Sequence, residues 1–366
     1  MREKIISILL IICMISNLSM PVMADQNENI ISTDSQELYT VGNTSYENGA
    51  STPKGNGHDC QQLGIWVPAN TTFRIRQTNP SLNQGLTIRM RNDDKQTEAS
   101  YTIPANGDWI EITPTADSVP FISSIYRADG QKPKVEFSLK DTKELPIYHK
   151  GDNEKEFFQK WNALNAPFAV YESDYAIFLV PKCDKYANQI GTLKDLCQYY
   201  DNMIKQYNEF SGLSTDTEEV WNKDSGTRYF IKANKHGAGS AYYSPIETAT
   251  NSSSLAGYMN QNNWGPLHEV GHGYNTIGFN SAEIWNNVYA YYYQISIFGK
   301  STWLGMTEDN RKGYENERQQ NGYDGDNYAT KLYFWVNVMN KIGPKQASAY
   351  SYQKYRYNRY HNIESL

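Results

Sequence analysis

Five residues constrain this chain more than any others: His268-Glu269-Val270-Gly271-His272. The two histidines are four apart, and a helical backbone is what puts residues at that spacing on one face. The stretch 264–273 is therefore expected to be a helix with one face left open. Two imidazoles on that face are ligands for a single metal ion, and the glutamate beside the first can reach a water held there. Pro266 suits the first helical turn, where its missing N–H costs nothing. Gly271 and Gly273 carry no side chain, so other backbone can come close to the metal. The chain has only six histidines (His58, His149, His236, His268, His272 and His361), so a pair at this spacing is a specific signal.

A catalytic zinc takes three protein ligands and keeps one position open. The pattern that continues with glycine at 275 and histidine at 278 fails, because this chain has Asn275 and Gly278. Between Gly273 and Thr307 there is one acidic residue, Glu283. It opens an expected helix over 281–298, preceded by a loop at 275–280 and capped by Asn280 or Ser281. Two helices joined by a short turn bring Glu283 back towards the histidines. The expected site is one Zn²⁺ per chain on His268, His272 and Glu283, with Glu269 as general base. His236, Tyr242 and Tyr243 are candidate donors to a developing oxyanion. Asn286 and Asn287, about one turn beyond Glu283, are candidates for orienting the ligands.

The rest of the chain is expected to divide into four parts. Residues 1–24 read as a cleaved secretory signal, with Arg2 and Lys4 before an apolar run too short to span a bilayer. The protein is therefore expected outside the cell, with no stable membrane insertion. Residues 25–58 are polar and aperiodic, a flexible leader. Residues 59–145 carry short alternating runs, such as Phe73 and Ile75, then Leu86, Ile88 and Met90, then Val135, Phe137 and Leu139. Broken by turns, they suggest a small antiparallel β-sandwich. In 146–366, residues 154–164 and 192–210 read as helices, and 175–180 and 228–233 as strands. A glycine- and serine-rich stretch, 236–254, leads into the motif. The fold class is α+β, a β-sandwich followed by a zincin-type domain whose C-terminal half is mostly helical. The formal charge is −6, and removing 1–24 takes away one net positive charge to leave −7, which argues against nucleic acid as a partner. Cys60, Cys183 and Cys197 remain after that cut; Cys183 and Cys197 pairing and three unpaired thiols are both open.

The run Asn263-Trp264-Gly265-Pro266-Leu267-His268-Glu269-Val270-Gly271-His272, followed by Glu283 and Asn286-Asn287, resembles the enhancin-like, mucin-degrading metallopeptidases. Leu63-Gly64-Ile65-Trp66-Val67-Pro68-Ala69 is similar to the opening of the β-domain that precedes catalysis in those proteins. Ala241-Tyr242-Tyr243-Ser244-Pro245-Ile246 and 331–343 also look like segments that flank their site. The likeness extends over about 63–360. It implies a gluzincin-type endopeptidase acting on mucins or other O-glycosylated proteins. Spacing and chemistry alone imply only a zinc hydrolase. A non-catalytic glycan-binding protein on a peptidase fold, and a zinc peptidase of unglycosylated peptides, are the competing readings.

Overall fold

The computed structural model describes residues 32–43, 55, 57–79, 82–274, 283–322 and 327–363. The expected signal at 1–24, the loop at 275–280 and its cap at Asn280 or Ser281 lie outside them.

The alternating runs of the N-terminal part form two four-stranded sheets. In chain order the strands are β1 (Thr33–Glu37), β2 (Cys60–Gln62), β3 (Phe73–Gln77), β4 (Leu86–Arg91), β5 (Ala99–Ile103), β6 (Ile110–Ile112), β7 (Val119–Ser123) and β8 (Lys134–Ser138). One sheet runs β1-β8-β3-β6 and the other β2-β7-β4-β5, every pair antiparallel. Every second side chain is buried along β3 and over most of β4. Phe73, Ile75, Ile112, Val135 and Phe137 from one sheet meet Leu86, Ile88, Met90, Ile103 and Ile122 from the other in a single apolar cluster.

The leader is not wholly flexible, which corrects the expectation for 25–58. Strand β1 pairs along its length with β8, from Thr33 opposite Ser138 to Glu37 opposite Lys134. Its residues, Thr-Asp-Ser-Gln-Glu, are mostly exposed, so backbone hydrogen bonds hold it and no hydrophobic period betrays it. Leu38 and His58, also inside the expected leader, are each only 1% exposed.

The second part is built on a six-stranded sheet. Its strands are β9 (Ile147–His149), β10 (Phe168–Glu172), β11 (Ala176–Pro181), β12 (Tyr229–Ala233), β13 (Ala241–Ser244) and β14 (Glu247–Thr250), in the spatial order β9-β10-β11-β12-β14-β13. Strands β11 and β12 are buried at every position, which explains the unbroken apolar sequence of β11; β12 is apolar except for Lys232, which is buried against Glu98. Phe178, Val180, Tyr229 and Ile231 face the helices. Ile177, Leu179 and Phe230 face the other way, onto Cys60, Val119, Phe121 and Leu145 of the N-terminal part. The glycine- and serine-rich stretch expected to be a mere lead-in holds the hairpin β13–β14, with Ala241 opposite Thr250 and Ser244 opposite Glu247.

Seven helices complete the chain among the described residues: α1 (Glu154–Leu164), α2 (Leu193–Ser211), α3 (Trp264–His272), α4 (Trp285–Phe298), α5 (Glu308–Asn321), α6 (Tyr328–Ile342) and α7 (Pro344–Tyr360). The ends of α2 follow from local chemistry. Thr192 and Asp195 form a reciprocal capping box, and Gly212 ends the helix in the left-handed region. The Tyr-rich tail is α7, fastened by buried Arg356, whose guanidinium donates to Ser211 O at 2.7 Å and to Asn222 Oδ1 at 2.9 Å. A cation at the carbonyl end of α2 also complements the helix dipole. No described helix is long and apolar enough to cross a membrane. Cys60, Cys183 and Cys197 are all unpaired.

His58 links the two parts and gives a test of their packing. Its Nε2–H donates to Ser244 O at 2.7 Å, and the Phe230 N–H donates to Nδ1 at 3.3 Å. Both ring nitrogens are thus satisfied in the neutral form. Burial pushes the imidazole from its ordinary 6.5 down to about 4. Between those pH values the unfolded chain binds a proton that the folded chain refuses, so stability is lost as pH falls from about 6.5 towards 4. The expected loss is about 3 kcal/mol. Urea unfolding at pH 7.0, 5.5 and 4.5 should show this slope, and His58→Gln should remove that share of it.

Candidate metal centre

Helix α3 presents the motif because its two faces differ. Asn263 caps it, accepting from the Gly265 N–H at 3.0 Å. Leu267 and Val270 are fully buried in the main core. His268 and His272 lie on another face, half-buried at a cleft of about 520 Å³. The cleft is lined by His268, Glu269, His272 and Glu283 on one side and by Ala241, Tyr242 and Tyr243 of β13 on the other.

Glu283 reaches the histidines because α4 packs hard against α3. A Cβ on Gly271 would sit 2.8 Å from Asn286 O and 3.0 Å from Asn286 Cβ, so only glycine permits this approach. A Cβ on Gly273 would collide with the Tyr229 hydroxyl. Both glycines thus serve helix packing, not access of backbone to a metal as expected from sequence. Glu283 lies two residues before α4, and its carbonyl accepts from Asn287 Nδ2 at 2.7 Å, which fixes the turn.

The three expected ligands come together. His268 Nε2 is 3.2 Å from His272 Nε2 and 3.2 Å from Glu283 Oε2, and His272 Nε2 is 3.7 Å from the same oxygen. Ligands on a tetrahedral zinc with bonds of 2.0–2.1 Å stand about 3.3 Å apart. The triangle therefore has the size such an ion requires, and its donors are those zinc prefers. Glu269 lies beside it, with Oε2 4.0 Å from His272 Nε2.

Asparagines and a tryptophan orient this set. The His268 Nδ1–H donates to Asn287 Oδ1 at 2.8 Å, leaving Nε2 with its lone pair towards the cleft. The Trp264 indole N–H donates to the same oxygen at 2.6 Å. Asn286 Nδ2 is 3.3 Å from His268 O and 3.1 Å from His272 Nε2. Sequence reasoning singled out both asparagines but missed Trp264, whose four-residue offset from His268 was the available signal. Burial, followed by repulsion from the His268 charge, lowers His272 to about 4, so it is neutral at pH 7. Burial first, then the nearby Glu283 charge, raises Glu269 to about 7.

The three candidate oxyanion donors fare differently. His236 is held by Asp94, Nδ1 to Oδ1 at 2.6 Å, and does not line the cleft. The Tyr242 hydroxyl donates to Glu247 and accepts from Asn234 Nδ2 at 2.7 Å. Tyr243 stacks on His58, with centroids 5.0 Å apart.

Comparison with known proteins places these features in context. A family model described as peptidase M60, enhancin and enhancin-like, matches residues 143–364. A viral-enhancing factor of Trichoplusia ni granulosis virus is 29% identical over 241 residues, which cover 63% of this chain and 27% of the relative. The chain thus spans less than a third of the length of the curated relatives it matches. Among solved structures, a mutant of a functionally unknown conserved protein from Bacillus anthracis superposes with a TM-score of 0.71 at 16% identity, over 89% of this chain and 68% of that one. The M60 catalytic domain of Clostridium perfringens ZmpC, in complex with the sialyl T antigen, gives 0.65 at 18%, over 90% and 71%. At such identities the structural matches speak for the fold.

The orienting role of Asn287 is open to direct measurement. Asn287→Ala removes the acceptor shared by His268 and Trp264, and should weaken zinc binding by roughly 10–100-fold. Competition with a chromophoric chelator measures this, and an unchanged far-ultraviolet dichroism spectrum separates it from unfolding.

Proposed function

Because the chain belongs to the peptidase M60, enhancin and enhancin-like family, we propose that it is a secreted zinc endopeptidase of mucin-like, O-glycosylated proteins. The observation that carries the reading is the triangle of His268, His272 and Glu283 with Glu269 beside it. We assign the three as the ligands of one zinc and Glu269 as the base. The glycoprotein substrate is supported by the sialyl T antigen bound to the ZmpC catalytic domain. The sequence at 1–24 supports export, and we assign 59–145, extended by β1, to an N-terminal β-sandwich and 146–366 to the catalytic domain.

Bound zinc lowers the pKa of water towards neutrality and polarises a carbonyl. The protein's own part is to place and move protons. Glu269, 8% exposed, takes a proton from the attacking water and delivers it to the departing amine. Strand β13 has one strand neighbour, β14, among the described residues, and lies across the cleft from Glu269. An extended peptide adding to its other edge would have its carbonyls held by backbone hydrogen bonds in front of the histidines. Asn287, by accepting from the His268 Nδ1–H, keeps Nε2 aimed into the cleft.

Glu269→Gln should keep stoichiometric zinc and lose roughly 10²–10⁴-fold in cleavage rate. His272→Ala should lose both metal and activity. The substrates are a mucin and a threonine-rich peptide carrying single O-linked N-acetylgalactosamine residues, each assayed before and after enzymatic deglycosylation. Products should form before it and not after. Equal cleavage in both cases would favour a peptidase of unglycosylated chains, and full activity in the Glu269→Gln protein would overturn the mechanism.

A further inference from the structure

We propose that Arg91 and His58, both in the N-terminal β region, are positioning residues for the hairpin β13–β14 that walls the cleft. The inference rests on the peptidase reading only for its effect on turnover; the mechanical part stands on packing alone. Strand β13 carries Ala241, Tyr242 and Tyr243 into the cleft lining, yet among the described residues its one strand neighbour in the central sheet is β14. What lies behind the hairpin therefore decides where its side chains stand.

Two anchors lie there. The first is a buried charge cluster. Arg91 Nη1 is 2.5 Å from Glu247 Oε2 and 3.1 Å from Glu98 Oε2, and Lys232 Nζ is 3.0 Å from Glu98 Oε1. Glu247 and Lys232 are fully buried, and two cations balance two carboxylates. Glu247 also accepts the Tyr242 hydroxyl, so the network ends on a residue of the cleft wall. Arg91 Nη2 reaches Ile246 O, at the turn of the hairpin, at 3.4 Å. The second anchor is His58, which holds Ser244 O and stacks on Tyr243 at 5.0 Å with 24° between the rings. Next to it, a Cβ on Gly57 would stand 2.8 Å from Pro245 O, so the chain there lies directly on the turn. A third contact, from the Lys95 N–H to Asn234 Oδ1 at 2.9 Å, steadies the other partner of the Tyr242 hydroxyl.

Buried ion clusters gain little over apolar packing but fix one geometry, because every charge must find its partner. Here the geometry fixed is that of the strand facing His268, Glu269 and His272. The N-terminal region thus does more than cover a sheet face: it sets the register of the wall along which substrate lies.

The test uses the full zinc-loaded chain. Arg91→Lys keeps the charge but cannot span Glu247, Glu98 and Ile246 O together, and His58→Gln removes the second anchor. Phe137→Leu, in the core between the two N-terminal sheets, is the stability control. Hydrogen exchange at the amides of 241–250 should quicken about tenfold or more in the two anchor variants and stay unchanged in the control. Zinc content should be unchanged in all three. On the glycopeptide above, KM should rise roughly tenfold in the anchor variants with kcat within about twofold. Unchanged exchange at 241–250 in both anchor variants overturns the proposal, as does an equal rise in KM for Phe137→Leu. If the unmodified protein cleaves nothing while the anchor variants still exchange faster, the peptidase reading fails and the anchoring stands.

Discussion

The contact of Gly271 with the backbone of Asn286 sets the separation of α3 and α4, and with it the reach of Glu283 to the histidine pair. A methyl group at 271 would push the helices apart by more than the few tenths of an ångström that packed atoms can give. Glu283 is on the turn that leads into α4, so it would move away with that helix. The same helix carries Asn286 and Asn287, which bond to His268 O and His268 Nδ1. One close approach therefore delivers the carboxylate of Glu283 and two orienting amides together.

That approach is itself supported from beneath. Tyr207 of α2 donates to Leu267 O at 3.1 Å, and Tyr274 donates to Asn208 Oδ1 at 2.8 Å. Tyr229 of the central sheet lies against Gly273. Tyrosine suits this place, since Tyr207 and Tyr274 each bury a large apolar area and still give their hydroxyls an acceptor. The sheet needs cover on its other face, and the N-terminal region supplies it through contacts such as Phe121 edge-on to Phe230 at 5.0 Å. Both faces of the sheet are thus covered.

This division of labour explains what could be read from sequence. Helices α1 and α2 were legible to within a residue, because Asn153 and Thr192 cap them and an apolar period runs through α2. Strand β11 was legible as a short apolar run and β12 as a strand over 228–233. Strand β1 was not, because it is a polar edge held by its hydrogen-bond ladder to β8 and no apolar period marks it. Hairpin β13–β14 was hidden among glycines and serines, and fully buried Glu247 looks like a surface residue until its partner Arg91 is known. Of the site, Glu283 could be found as the single acid in reach, and the asparagines by their place one turn on. The function of Gly271 and Gly273 was misread, since a missing side chain reports a close approach without saying what approaches.

Charge completes the argument for an ion in this cleft. Glu269 and Glu283 face two imidazoles, one of them held neutral by burial, and nothing cationic offsets the rise of Glu269 to about 7. Carboxylates elsewhere in the chain are treated differently. Glu247 is just as buried, yet its pKa is lowered because Arg91 and Lys232 lie against it. At Glu247 the protein thus supplies its own cations, whereas no lysine or arginine lies against Glu269 among the described residues. A divalent ion on the donor triangle would reverse the local logic and favour ionised Glu269, the form that the proposed base requires.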